Sequence, residues 1–366
     1  FVLPDKVISS GGENLTKLIL QTKSHDNSFS SLGTICEWKT NVGEFCVGNS
    51  RLIFAVSCAF ASVLLKLTGE ESGGFHFVGS SSIGKSITLK VAASVWGDPG
   101  LSGFVKRWRS TLNGLELIAS SRCDSLLILD ELGEIPAQEA GNAAYMLSGG
   151  VSKNRATKDT TLAEQQEWRI LFLSSGEITL ASYIASSGQQ INVGQEVRMI
   201  DLPAEAQSSL GVFENIHNFQ SAGSFATTLS TNTEKYFGTP ILAFLEKIVA
   251  DSSIHQKLTQ LREEFIKNTD VPSHGQIHRA LKRFSLVAAA GELAIELGIL
   301  PWKKTDALNA SYKLFSEWRD TWTHNGARES QRLVMQVKSL LQEFGPSRFP
   351  VLSDFKQKSY DHNQKL

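Results

Sequence analysis

Residues Gly79, Ser80, Ser81, Ser82, Ile83, Gly84, Lys85 and Ser86 spell G-x-x-x-x-G-K-S. At average residue usage this pattern arises by chance about 0.01 times in a chain of this length. It is the phosphate-cradling loop of nucleotide hydrolases. Glycines let the backbone wrap closely around phosphate, and successive N–H groups at a helix N-terminus bind its oxygens. Lys85 is placed to reach the β and γ phosphates of ATP, and Ser86 to ligate Mg²⁺.

Downstream, the apolar run Leu126–Leu129 ends in Asp130 and Glu131. Behind a phosphate loop, the first carboxylate is the Mg²⁺ partner and the second polarises the attacking water. Asp124 precedes its strand and is a weaker candidate. The next apolar run, Ile170–Leu173, leads into Ser174, Ser175 and Glu177. Ser174 or Ser175 would orient the lytic water, although the same residues suit a helix cap. Arg198, just before the last apolar run, is placed to reach the nucleotide of a neighbouring subunit and neutralise charge on the transferring phosphoryl group.

Three cations, Lys153, Arg155 and Lys158, fall in a Gly-rich stretch beginning at Gly149. In a ring motor such an insertion forms a hairpin that holds nucleic-acid phosphates; the competing reading is a solvated basic loop. A second cluster, Lys106 to Arg109, offers Trp108 as a stacking face, although Trp is more often core. A third contains Arg279 and Arg283, four residues apart and so on one helix face. Either one would close over the nucleotide from a helical lid.

The elements that must position these groups follow from periodicity. Short apolar runs at 74–79, 126–129, 168–173 and 197–202 alternate with helical patterns at 49–67, 86–95, 113–122 and 138–148. Alternation of this kind predicts a parallel α/β sheet covered on both faces. Short strands are predicted near Ile35–Trp38 and Glu44–Val47. Beyond Pro203 only helical patterns remain, at 222–229, 238–250, 254–267, 274–297, 305–322 and 328–343. The expected organisation is an N-terminal segment over 1–50, an ATPase core over 51–205 and a helical lid or C-terminal domain over 206–366.

Composition bounds the alternatives. The 366 residues carry a net charge of −1, with 41% hydrophobic and 20% charged residues. This is globular composition, and it excludes a uniformly basic DNA-coating protein but not a local basic patch. Cys36, Cys46, Cys58 and Cys123 form no C-x-x-C pair, which argues against a cysteine zinc site and fits a reducing compartment. No H-E-x-x-H, G-x-S-x-G or G-x-G-x-x-G motif supports a metalloprotease, a serine hydrolase or a dinucleotide enzyme. No signal peptide opens the chain. The apolar run Leu52–Leu65 is too short to span a bilayer and predicts a buried core helix.

Several strings together resemble the AAA+-like ATPases of the domain-of-unknown-function 927 family. They are Gly73 through Ser86, Ala93 through Gly97, Thr111 through Glu116, Leu129 through Leu132, Ala144-Tyr145, Leu173 through Glu177 and Gly194 through Arg198. The resemblance covers roughly residues 40–350. It implies the helicase half of replication proteins of prophages, plasmids and phage satellites, similar to superfamily-three helicases. A hexameric ring would act on single-stranded or forked DNA in the cytoplasm, with ATP and Mg²⁺ as cofactors and a primase domain or partner upstream. Lys85, Ser86, Asp130, Glu131, Ser174 or Ser175 and Arg198 carry over by position. The family pattern also leads to the expectation that the chain, which opens on Phe1, is part of a longer protein with a further C-terminal segment. Two other readings of the same fold stay open. One is a protein remodeller or helicase loader, and the other a slow nucleotide-controlled structural or defence module.

Overall fold

Four of the apolar runs leave no polar side to face water, so each must be covered on both faces. In the computed structural model they form β1 (Gly73–Val78), β3 (Ser125–Asp130), β4 (Ile170–Gly176) and β5 (Met199–Pro203). A short β2 (Val105–Arg107) completes one sheet of order β2-β3-β4-β1-β5, with every neighbouring pair parallel. The expected parallel α/β core is thus observed. The structure describes residues 1–4, 6–9, 27–155, 164–189, 196–269 and 275–326.

The helices through the sheet region are α1 (Ile35–Trp38), α2 (Ser50–Ala61), α3 (Leu65–Thr68), α4 (Lys85–Trp96), α5 (Leu112–Ser121), α6 (Ala137–Gly149) and α7 (Leu180–Ser186). Beyond β5 follow α8 (Ala222–Lys235), α9 (Thr239–Ala250), α10 (Ile254–Lys267), α11 (Gly275–Glu296) and α12 (Asp306–Gly326). Phe1–Trp318 form one compact unit and Arg319–Leu366 a second, whose described part is the end of α12.

Side chains alternate across the sheet with period two. Phe75 points to the face covered by α2 and α11, where its ring meets Phe54 at 4.9 Å and Phe284 at 5.0 Å. Leu127, Leu129, Phe172 and Met199 point the other way, into a core with Trp108, Leu115, Ala140, Leu147, Leu180 and Ile184 from the layer of α5, α6 and α7. The turns of α12 close over α10 and α11 through Phe265–Tyr312 stacking at 4.2 Å and the Phe284–Phe315 edge contact at 5.2 Å. Buried Glu292 of α11 accepts from the N–H groups of Thr305, Ala307 and Leu308, so it caps the start of α12.

Three expectations are corrected, and a fourth falls on residues the structure does not describe. The predicted strands at Ile35–Trp38 and Glu44–Val47 are helical turns, because Thr34 and Glu37 form a reciprocal capping box that starts α1. The stretch at Lys106, read only as a basic cluster, holds β2, while Trp108 beyond it is fully buried in the core, the alternative weighed against a stacking face. The helical path through Ser50–Thr68 runs 19 residues, longer than its uninterrupted apolar run, and is apolar enough to cross a membrane by length and composition. It lies inside the protein, with every residue of α2 buried. The predicted helix at 328–343 lies outside the described residues.

Two positions test this packing. A Cβ at Gly74 would lie 2.2 Å from the Phe172 ring and 2.4 Å from the Phe172 carbonyl oxygen, on the crowded α5–α7 face. Gly74→Ala must push β1 from β4 and is expected to cost roughly 1–3 kcal/mol, read as a lowered midpoint in urea denaturation. Asp201 of β5 accepts from the Leu180 N–H at the start of α7, and burial pushes its carboxyl up to about 7, with Leu180 opposing and Glu196 adding to the rise. The native state therefore keeps a proton that an unfolded aspartate releases near about pH 4, so this group costs stability as pH rises from about 4 to about 7. Asp201→Asn is expected to match the parent below about pH 4, to gain on it progressively from about pH 4 to about pH 7 and to hold that gain above, read as the difference between the two urea-midpoint profiles.

Candidate active site

The site is built where β1, β3 and β4 end. The chain leaves β1 at Val78, turns through Gly79–Gly84 and enters α4 at Lys85. Gly84 has φ +106°, and a Cβ there would meet Val212 at 2.7 Å, so both conformation and space demand glycine. Ser82 also lies at positive φ. Lys85 is buried and donates from Nζ to the carbonyls of Gly79 at 2.8 Å and Ser80 at 2.7 Å. Ser80, Ser81 and Ser86 are exposed, with Ile83 partly so.

The segment after β5 braces this loop. Ala204 donates its N–H to Val78 O at 2.8 Å, and Val212 donates to Ile83 O at 2.9 Å. Gly211 sits so close that a Cβ would be 2.4 Å from Ile83 O. The sequence reading did not assign residues 204–213 to the site; Gly211 was the available signal, but nothing local says what it approaches.

Three oxygens converge beside the loop. Ser86 Oγ of α4 lies 3.4 Å from Asp130 Oδ1, and Ser175 Oγ donates to the same carboxylate. Ser175 also accepts the N–H of Glu131 at 3.3 Å. Glu131 adopts φ +60°, a conformation that a non-glycine residue occupies only under local constraint. Among the described residues no group of three or more His, Cys, Asp or Glu is arranged to hold a metal. Ser86 and Asp130 do supply hard oxygen donors of the kind Mg²⁺ takes when substrate phosphates and water complete its shell.

The alternation of β4 separates the two serines. Ser175 shares a face with Asp130, whereas Ser174 pairs in register with His76 and faces the α5–α7 core. Ser174 is fully buried and bonded to Trp108 Nε1 at 2.8 Å and His76 Nδ1 at 2.9 Å, so the structure does not bring it to Asp130.

The arginines lie elsewhere. Arg198 precedes β5 at the end of the sheet away from Gly79, a strand length of roughly 17–20 Å. Its guanidinium stacks 4.4 Å above the Tyr145 ring of α6, and its carbonyl accepts from Gly74 N–H. Arg283 is at that same end: a Cβ on Gly73 would touch its guanidinium, and its Nη1 donates to Val197 O at 2.6 Å. Burial lowers the Arg283 guanidinium to about 10, still cationic at neutral pH. The structure thus does not bring Arg283 to the phosphate loop of its own chain, because this turn of α11 meets β1 at its amino end, the end opposite Gly79. Arg279, one turn earlier on α11, is exposed.

The basic insertion opens as a two-stranded ribbon. Trp168 N–H donates to Gly150 O at 2.8 Å, Ser152 N–H donates to Gln166 O at 2.8 Å, and Val151 bridges Glu167. Lys153 is exposed. Arg155 is tied down by an ion pair with buried Glu116 of α5 and by Asn113 at 2.7 Å. Lys158 lies outside the described residues, as do Gly194 and Gln195.

Comparison with known proteins agrees with this geometry at the level of fold. Residues 1–167 match the family model described as a domain of unknown function, DUF927. No curated protein matches the chain. Among solved structures, the chain is similar to "SCCmec type IV Cch - active helicase", with a TM-score of 0.65 at 18% identity, over 91% of this chain. The matched region is 60% of that helicase chain, so this chain spans less than two thirds of its length. The α/β architecture observed here is therefore a helicase-like fold.

Proposed function

We propose that this chain is the motor core of an ATP-driven DNA helicase or translocase that works as a ring, of AAA+-like, superfamily-three type, serving the replication of a mobile genetic element. The observation that carries the reading is the convergence of Ser86, Asp130 and Ser175 beside Lys85, on a fold shared with a solved helicase. Lys85 and the loop Gly79–Ser86 bind the ATP phosphates. Ser86 and Asp130 hold Mg²⁺, which when bound lowers the charge on those phosphates. Glu131 takes the position of general base toward the attacking water, with its backbone N–H fixed by Ser175.

Arg198 lies far from its own phosphate loop, which suits a group that completes the site of a neighbouring copy; a hexamer is the assembly this reading expects. Arg283 is committed to Val197, and Arg279, exposed one turn earlier on α11, would, like Arg198, serve the site of a neighbouring copy. Lys153, on the ribbon after α6, contacts the DNA backbone, with Arg155 holding that ribbon on Glu116, and Lys158, close in sequence, adds a further cation to the same contact. A primase domain or partner would supply primers to such a motor.

The test is the steady-state ATPase rate of the full chain with and without single-stranded DNA. Expected is a rate stimulated severalfold by DNA, a loss of roughly 100-fold in kcat for Glu131→Gln with nucleotide still bound, and a loss of nucleotide binding for Lys85→Ala. Hydrolysis indifferent to DNA moves the assignment to a protein remodeller or helicase loader. Lys153→Ala is expected to lower DNA affinity and reduce the slope of log affinity against log salt by about 0.7 to 0.9. Arg155→Lys is the better partner variant, because Arg155→Ala would strand the buried Glu116 charge.

A further inference from the structure

A chain of buried hydrogen bonds runs beneath the candidate site without being part of it. Trp108, Ser174 and His76 are all fully buried. Trp108 Nε1–H can only donate, and it donates to Ser174 Oγ at 2.8 Å. The Ile178 carbonyl can only accept, and it lies 3.1 Å from His76 Nε2, so Nε2 carries the proton. His76 Nδ1 then holds a lone pair and accepts from Ser174 Oγ–H at 2.9 Å. The direction of every bond is thus fixed from Trp108 to Ile178.

Burial, with Lys85 adding to the effect, lowers the imidazole to about 4, so the ring is neutral and keeps this tautomer at physiological pH. It also fills the space under Gly176, where a Cβ would come within 2.9 Å of its Cε1. The ring is therefore wedged and cannot follow a moving turn without breaking a bond.

What the relay holds is the turn that leaves β4. Ile178 is 42% exposed, yet its carbonyl is gripped from inside the core. Two residues later Leu180 N–H is gripped by Asp201 of β5. On α7, Tyr183 Oη donates to the carbonyls of Gly133 at 3.1 Å and Ile135 at 2.7 Å, in the segment that follows Glu131. The turn begins at Gly176, directly after Ser175, which contacts both Asp130 and Glu131.

We infer that His76 is a positioning residue for the hydrolytic centre: through Ile178 it fixes the turn after β4, and so the alignment of Ser175 with Asp130 and Glu131. This inference rests on the ATPase reading above. It separates the two hydrogen bonds of the ring. In His76→Asn the side-chain oxygen falls near Nδ1, so the Ser174 bond survives and the Ile178 bond is lost. In His76→Gln the amide reaches the Nε2 position and can still donate to Ile178.

The experiment is kcat and KM for ATP on the full chain, for the parent, His76→Asn, His76→Gln and Ser174→Ala, with folding checked by circular dichroism. Misalignment of a hydrolytic group predicts a kcat loss of about tenfold or more for His76→Asn, with KM within about twofold, and a kcat within about threefold of the parent for His76→Gln. The inference is overturned by parental kcat in His76→Asn, by equal losses in both His76 variants, or by a loss confined to KM. If His76→Asn does not fold, His76→Gln and Ser174→Ala decide together, since both keep the bond to Ile178 and lose the one between Ser174 and Nδ1: a kcat within about threefold of the parent in both supports the inference, and a loss of about tenfold or more in either overturns it. A parent chain that neither binds nor hydrolyses ATP overturns the ATPase reading itself, whereas an active parent with an active His76→Asn variant overturns only the role of His76.

Discussion

The position of β4, inserted between β1 and β3, is the constraint from which the rest of the site follows. Parallel neighbours joined through helices need not be consecutive in sequence, and here the third long strand in the chain lies between the first two. Consecutive residues of β4 then face opposite layers. Ser175 meets the carboxylate that ends β3, and Ser174 meets the histidine of β1. One strand thereby links the chemistry on one face to the packing on the other, and the crevice at its carboxyl end is where open α/β sheets bind ligands.

Much of this was legible in the sequence, and the limit of legibility is physical. The phosphate loop, the acids after β3 and the alternation of strands and helices are local patterns, and the chain puts Lys85, Ser86, Asp130 and Ser175 within one small region. Choosing between Ser174 and Ser175 needed the register of β4 against β3, which no local pattern encodes. The capping box at Thr34 was readable in principle, but the alternation of apolar residues around it imitated a strand. Arg283 shares its helix face with Arg279 at i,i+4 spacing, yet only the contact with Gly73 reveals at which end of the strands those arginines lie. His76 gave no signal at all, because a lone histidine in an apolar strand has the same sequence whether it is structural or positioning.

A buried cation ties α12, beyond β5, to the segment that braces the phosphate loop. Arg51 of α2 donates to the carbonyls of Pro203 at 3.2 Å and Glu205 at 3.0 Å, at the head of the segment that braces Ile83. It also pairs with Glu214 and, on α12, with Glu317, while Lys313 reaches Glu214 at 2.9 Å. Neighbouring Lys313 and hydrogen bonds from Ser50 hold the Glu214 carboxyl below its ordinary range despite burial. A buried charge shared among so many acceptors is poor evidence for net stability, but it accepts only one arrangement of the elements around it.

The burial of α2 has a consequence for how the protein is made. Its residues leave the ribosome as an apolar segment long enough for a bilayer, and α11, which packs against it, begins more than 200 residues later at Gly275. At about 5–20 residues per second, that cover arrives on the order of ten seconds or more after α2 itself. During that interval the nascent chain presents the kind of surface that targeting factors and chaperones bind.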